Sequence, residues 1–146
     1  MDLKRFRLLC ELDGQDRRLL TDFLQEQRVP KGQCIFREGD AASALVLVAK
    51  GRLLVESRRE GEVGTLGPGS WFGAASLVTV GAREATLSAR QTSTVLRLER
   101  TSMRQLLDEA PQTAGRVLEA IAGDLADVAR RSIDAAHAVD RERGDP

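Results

Sequence analysis

The stretch Trp71-Phe72-Gly73-Ala74-Ala75-Ser76-Leu77-Val78-Thr79-Val80-Gly81-Ala82-Arg83-Glu84-Ala85-Thr86-Leu87 decides the fold of this chain. It opens just after a Gly67-Pro68-Gly69 turn, and its apolar run, Ala74 to Val80, is bracketed by Gly73 and Gly81. After Arg83, Ala85-Thr86-Leu87-Ser88-Ala89 alternates as a strand does. A short helix between two glycines, followed by a cation, has the parts of an anion cradle. Helix N-terminal amides point outward unpaired, glycine lets backbone approach a ligand, and an arginine fork grips phosphate oxygens. The residues alone leave a second reading open, a sheet connection carrying a surface arginine.

Neighbouring pieces narrow the choice. Pro30-Lys31-Gly32 precedes Ile35-Phe36-Arg37-Glu38-Gly39-Asp40, a strand and a turn. Leu45 to Val48, then Lys50-Gly51-Arg52-Leu53, reads as a hairpin, and Leu66-Gly67-Pro68-Gly69 leads into the quoted stretch. Together these resemble the cyclic nucleotide-binding domain family, whose phosphate-binding cassette reads roughly Phe-Gly-Glu, Leu-Ala-Leu, then Arg and two small residues. Phe72-Gly73, Leu77, Arg83, Ala85 and Thr86 match that cassette without a gap, and the resemblance runs from about Leu3 to Asp140. It implies a mainly β fold with flanking helices: an antiparallel β-roll (a double-stranded β-helix) over roughly 28–99, N-terminal helices, and C-terminal helices over roughly 101–139. It also implies a ligand pocket at Phe72, Gly73, Ala74, Ala75, Arg83, Glu84 and Ala85.

Two departures fall in that pocket. Ala74 stands where the family has its ribose-binding glutamate, and Glu84 stands where a small residue follows the cassette arginine. A gapless alignment from Arg83 through Pro111 also places Val128 and Ala129 where a bacterial activator of the family sets a Thr-Ser pair against the base. The expectation is that cyclic AMP and cyclic GMP are not bound at micromolar levels. The surviving ligand, if any, is a nucleotide or another small anion, and no cofactor is expected.

A length of 146 residues suits one domain, taken here as 1–140 with a frayed tail at 141–146. Charges balance at 22 basic and 22 acidic, so no overall basic field points to nucleic acid. No apolar run is long enough to span a bilayer, and the start lacks a signal-peptide core. Cys10 and Cys34 fit buried thiols in a reducing compartment, so the expected location is cytoplasmic.

Leu3, Phe6, Leu8, Leu9 and Leu12 fit a short helix at residues 2–12. Asp13 is a good N-cap, with Asp16 in the first turn, for a helix from about Gly14 to Gln25 with Leu19, Leu20, Phe23 and Leu24 inward. From Gln33 to Glu99 short apolar runs alternate with glycine-rich turns. Strands are expected at Cys34–Phe36, Ala44–Ala49, Arg52–Ser57, Val63–Leu66, Ala85–Arg90 and Ser93–Glu99. Leu87 with Ala89, and Thr94 with Leu96 and Leu98, make one-sided apolar faces. Trp71 reads as a packing residue. A short helix is expected near Ala75–Val78.

After Glu99 the pattern is helical. Thr101 is placed to cap a helix through Ala110, with Met103, Leu106 and Leu107 inward. Pro111 suits the first turn of a second helix to about Val139. Along it Leu118, Ile121, Leu125, Val128, Ser132, Ala135 and Val139 recur in alternating steps of three and four, a coiled-coil seam. Such a helix outruns a small barrel, which favours a parallel homodimer; the alternative is a stripe packed on its own barrel.

No catalytic constellation is present. His137 is the only histidine, so paired-histidine metal sites and Cys/His zinc clusters are missing, and two cysteines cannot hold an iron–sulfur cluster. The family's transcription factors carry a helix-turn-helix beyond the long helix and its channels carry membrane segments; neither is found here, so direct DNA binding and membrane insertion are not expected. Two readings remain, a small-molecule sensor that relays through the long helix and a protein-interaction module with a vestigial pocket. An enzyme, or a true cyclic nucleotide receptor, stands behind them.

Overall fold

The computed structural model describes residues 2–142, and their side chains as far as Arg131. The expectations for Ser132, Ala135, His137, Val139 and the tail at 143–146 lie outside what is described of side chains or of the chain.

Among the described residues, ten strands and three α-helices build the fold. The strands are β1 (Gln25–Val29), β2 (Cys34–Phe36), β3 (Ala41–Ala42), β4 (Ala44–Lys50), β5 (Leu53–Ser57), β6 (Gly61–Leu66), β7 (Trp71–Phe72), β8 (Gly81–Ala82), β9 (Thr86–Ala89) and β10 (Ser93–Glu99). The helices are α1 (Gly14–Thr21), α2 (Arg100–Glu109) and α3 (Pro111–Glu142). All pairings are antiparallel, in two four-stranded sheets, β1-β10-β4-β7 and β2-β9-β5-β6, and one short pair, β3-β8. This is the expected β-roll with helices at both ends.

Strand β4, Ala-Leu-Val-Leu-Val-Ala-Lys, is apolar at six consecutive positions because the first sheet is a partition. Val46, Val48 and Val95 point into the roll against Val29, Phe36, Leu53 and Leu87. Leu45, Leu47, Leu96 and Leu98 point the other way, against Phe6, Leu9, Leu20, Met103, Leu106 and Ile121. The one-sided face expected for β10 is therefore wrong: Thr94 is half-buried, and Val95 on the opposite face is fully buried. Leu87 and Ala89 do share a buried face.

Several local expectations change. Residues 2–12 form two 3-10 turns, Leu3–Arg5 and Arg7–Leu9, not one helix, because Phe6 is extended between them. All five apolar side chains expected there are nevertheless buried. Helix α1 has the Asp13–Asp16 capping box, but it ends at Thr21, not Gln25. Asp22, Phe23 and Leu24 each donate to a carbonyl three residues back, so the chain tightens and turns into β1. Helix α2 starts at Arg100, with Glu99 and not Thr101 in the cap position, and Leu107 is exposed. Cys10 is exposed and Cys34 half-buried, so neither is the buried thiol expected; both are free.

The base of α3 is tied to the N-terminus through Asp16. Its carboxylate accepts from the Thr113 hydroxyl at 2.6 Å and from Arg116 Nη1 at 2.9 and 3.0 Å. Burial pushes this carboxyl up, but the bonds from Thr113, the Asp13 amide and Arg116 outweigh it and hold the pKa below the ordinary aspartate value.

Candidate functional site

A cleft of about 380 Å3 opens between the cassette and α3. Phe72, the 3-10 turn Ala74–Leu77, β8 and the Arg83–Glu84 pair build one wall, and Asp124, Leu125 and Val128 of α3 the other. The 3-10 turn is where a short helix was expected, shifted by one residue. Gly73 makes the bend into it with φ +83°. A β-carbon there would run into the Arg83 guanidinium and lie 3.0 Å from the Ala44 carbonyl oxygen, so only glycine fits both the turn and the arginine's seat.

Arg83 lies at the inner end of the cleft, 5% exposed. Backbone bonds to the strand-turn beside it fix its position: its amide donates to Asp40 and its carbonyl accepts from Gly39, each at 2.8 Å. In the side chain, Nη2 donates to the Ala44 carbonyl at 2.8 Å and Nη1 to Ser76 Oγ at 3.2 Å. The guanidinium carbon stands 3.9 Å from the centroid of the Phe36 ring. Both acceptors are neutral, and none of the ion pairs among the described residues includes Arg83. Its buried Nε has no hydrogen-bond partner among the described residues. Burial lowers the arginine's pKa, Arg97 adds to this, and Glu99 and Asp40 oppose it. A buried cation with neutral partners and one orphan donor carries a desolvation cost of several kcal/mol. An anion entering the cleft would offset it.

The other expected pocket residues divide. Phe72, Gly73, Ala74, Ala75 and Glu84 line the cleft with Arg83. Ala74 is buried in its wall and Glu84 is exposed at its rim. Arg83, Ala85, Leu87 and Ala89 are buried and Glu84 is exposed, an alternation that begins in the bend at Glu84–Ala85 and continues into β9. Ala85 lies in the apolar core of the roll, not in the cleft. Val128 lines the cleft, while Ala129 is exposed and does not. Trp71 is half-buried against the helical core, as a packing residue.

Sequence reasoning missed Ser76, Phe36, the Ala44 carbonyl and Asp124. Ser76 had a signal, being the first polar residue in the apolar run from Ala74. Asp124 sits one residue before the seam position Leu125. The contacts of Phe36 and Ala44 with Arg83 join residues more than thirty positions apart and carry no local pattern.

The seam of α3 is divided as well. Ile121 is 1% exposed inside the helical core, and Leu118 and Leu125 pack partly against that core. Val128 is 45% exposed. The first half of the stripe thus packs on its own domain.

Among the described residues no helix is long and apolar enough to cross a membrane. The profile of the cyclic nucleotide-binding domain matches residues 26–110. A cAMP-dependent protein kinase regulatory subunit from Yarrowia lipolytica is 34% identical over 106 residues, 72% of this chain and 28% of that protein. A cyclic AMP receptor protein from Thermus thermophilus is 35% identical over 100 residues, 66% of this chain and 46% of that protein. The chain thus spans less than half the length of either. Among solved structures, the Thermus thermophilus catabolite activator protein superposes with a TM-score of 0.79 at 28% identity, covering 91% of this chain and 62% of that one. The N-terminal domain of a transcriptional regulator from Streptomyces coelicolor A3(2) superposes at 0.77 and 26% identity, covering 88% and 95%. With cassette, roll and helical ends all in place, the chain belongs to the cyclic nucleotide-binding domain family.

Proposed function

We propose that this domain is a non-enzymatic regulatory sensor whose cleft takes a small anionic ligand on Arg83, without the contacts that hold cyclic AMP or cyclic GMP, and that α3 passes the signal to a second copy. The observation that carries this reading is the buried Arg83, which has neutral partners and an unpaired Nε. A guanidinium is kept charged by its high intrinsic basicity, and an anion in the cleft that Arg83 lines supplies a counter-charge.

The weak fit to ordinary cyclic nucleotides rests on three positions. Ala74 offers no acceptor to a ribose hydroxyl, and a buried polar group left unpaired costs about 1–3 kcal/mol. A carboxylate about 4 Å from a phosphate repels it by roughly 4 kcal/mol at an effective dielectric of about 20. Glu84 is exposed, so solvent removes much of that. Val128 presents methyl groups where a base would need hydrogen bonds. A combined deficit of roughly 3–5 kcal/mol weakens binding by about two to four powers of ten.

The dimer is proposed through the later part of the α3 seam, from the half-buried Leu125 and the exposed Val128 on through the sequence positions Ser132 and Ala135, with Leu118 at its edge. The helix has 32 residues, about 48 Å at 1.5 Å per residue. This reading leaves Ile121 to the domain's own core.

A second reading has its own observation. Arg83 already holds Ser76, Ala44 and the Phe36 ring, so it also serves as an internal strut of a cleft that needs no ligand in a protein-interaction module. Calorimetry with cyclic AMP and cyclic GMP tests the proposal. Wild type is expected to bind neither at micromolar concentration, and Ala74→Glu with Glu84→Ser to gain affinity sharply. Micromolar binding by wild type, or no gain in the double variant, contradicts the ligand argument.

A further inference from the structure

The charges around the cleft do not match a simple anion. Among the described residues, Arg83 at the inner end is the single basic lining residue, while Glu84 at the rim and Asp124 on α3 are both acidic. Neither acid appears in the ion pairs formed among the described residues. Asp124 also borders the neighbouring groove that carries Arg7 and Arg131, yet pairs with neither. A pure anion drawn in by Arg83 would pass two carboxylates on its way and keep them as neighbours. Two carboxylates are also too few for a protein metal cage, and no group of three ligating side chains converges among the described residues.

We infer that the ligand of this cleft is a small soluble zwitterion, with a phosphate-type or carboxylate anion seated against Arg83 and an ammonium or guanidinium end reaching Glu84 and Asp124. This rests on Arg83 as an anion site. Arg83, the single basic residue of the lining among the described residues, fixes which end enters first. The acids stand on opposite walls, one on the cassette and one on α3, so a cationic group between them draws α3 toward the roll. A plain anion lacks that bridge, which ties occupancy by the right ligand to the position of the helix. The volume of about 380 Å3 suits a molecule of this kind.

Binding of O-phosphoethanolamine, inorganic phosphate and ethanolamine, with and without Mg2+, is measured by calorimetry on wild type, Glu84→Gln with Asp124→Asn, and Arg83→Lys. Wild type is expected to bind O-phosphoethanolamine at least about tenfold more tightly than phosphate, with no need for Mg2+. The acid-neutralised double variant is expected to lose that preference by binding phosphate better and the zwitterion worse. Equal wild-type affinities, a preference that survives in the double variant, or phosphate binding that requires Mg2+ overturns the zwitterion. Binding only to phosphatidylethanolamine vesicles overturns it as a soluble ligand. Failure of the anion reading is separate: no ligand binds, or binding is unchanged in Arg83→Lys.

Discussion

Replacing Asp16 by asparagine removes one charge from the joint between the N-terminal helix and the base of α3, the helix that brings Asp124, Leu125 and Val128 to the cleft. Asp16 is 2% exposed and Thr113, its hydroxyl donor, 3%. A hydrogen bond to a charged acceptor contributes about 1.5–3 kcal/mol. Arg116 is close to half exposed, so its ion pair adds under about 1 kcal/mol. In the capping box Asp16 Oδ2 accepts from the Asp13 amide at 3.2 Å, worth about 0.5 kcal/mol or more. Asparagine keeps the shape and one acceptor, so the terms do not add in full. The expected net loss is about 2–3 kcal/mol at neutral pH, or roughly 5–10 °C in Tm for a domain of this size. The sign of the pH dependence follows from the lowered folded-state pKa. Its stabilisation is fully present above the ordinary aspartate value, 3.8, and is lost as pH falls through the lower folded value. Urea unfolding of wild type and Asp16→Asn at pH 7, and again as far below pH 3.8 as the fold survives, measures this. A difference under about 0.5 kcal/mol at neutral pH, or one that does not shrink in acid, refutes the reasoning.

Two further substitutions probe the cleft and the helix. Gly73→Ala forces a side chain into a left-handed backbone and against the Arg83 guanidinium, so a loss of about 1–3 kcal/mol is expected, with changed Arg83 side-chain resonances; unchanged stability in urea would show that the arginine is not seated there. Val128→Glu should leave the fold intact, since the residue is exposed, and shift a wild-type dimer toward monomer in sedimentation at micromolar concentration. A monomeric wild type, or a variant that dimerises as well, removes the proposed interface.

The roll was legible because its apolar strands are set off by clear turns. Cys34–Phe36 and Ser93–Glu99 appear with the boundaries their residues suggested, and the alternation after Arg83 fixes which way that arginine turns. Strand β1, Gln-Glu-Gln-Arg-Val, was not legible: it is polar, lies at a sheet edge, and is held by its ladder with β10. The pairs Ala41–Ala42 with Gly81–Ala82, and Trp71–Phe72 with β4, are too short to show a period. The cassette could be located from spacing, but not its far side. Which residues of α3 face the cleft depends on how the helix packs, and the even seam from Leu118 to Val128 conceals that Ile121 faces inward while Val128 is largely open.

The Arg83 Nε–H group reports most directly on whether this cleft is an anion site, because it belongs to the single basic side chain that lines the cleft among the described residues. Its proton–nitrogen resonance, assigned by comparison with Arg83→Lys, is followed by NMR while the folded protein is titrated with O-phosphoethanolamine, inorganic phosphate and cyclic AMP. The account predicts a saturable shift of that resonance, largest and at lowest concentration with O-phosphoethanolamine, as an anion comes to rest against the guanidinium. A resonance that stays in place through all three titrations would contradict it and leave Arg83 as an internal strut.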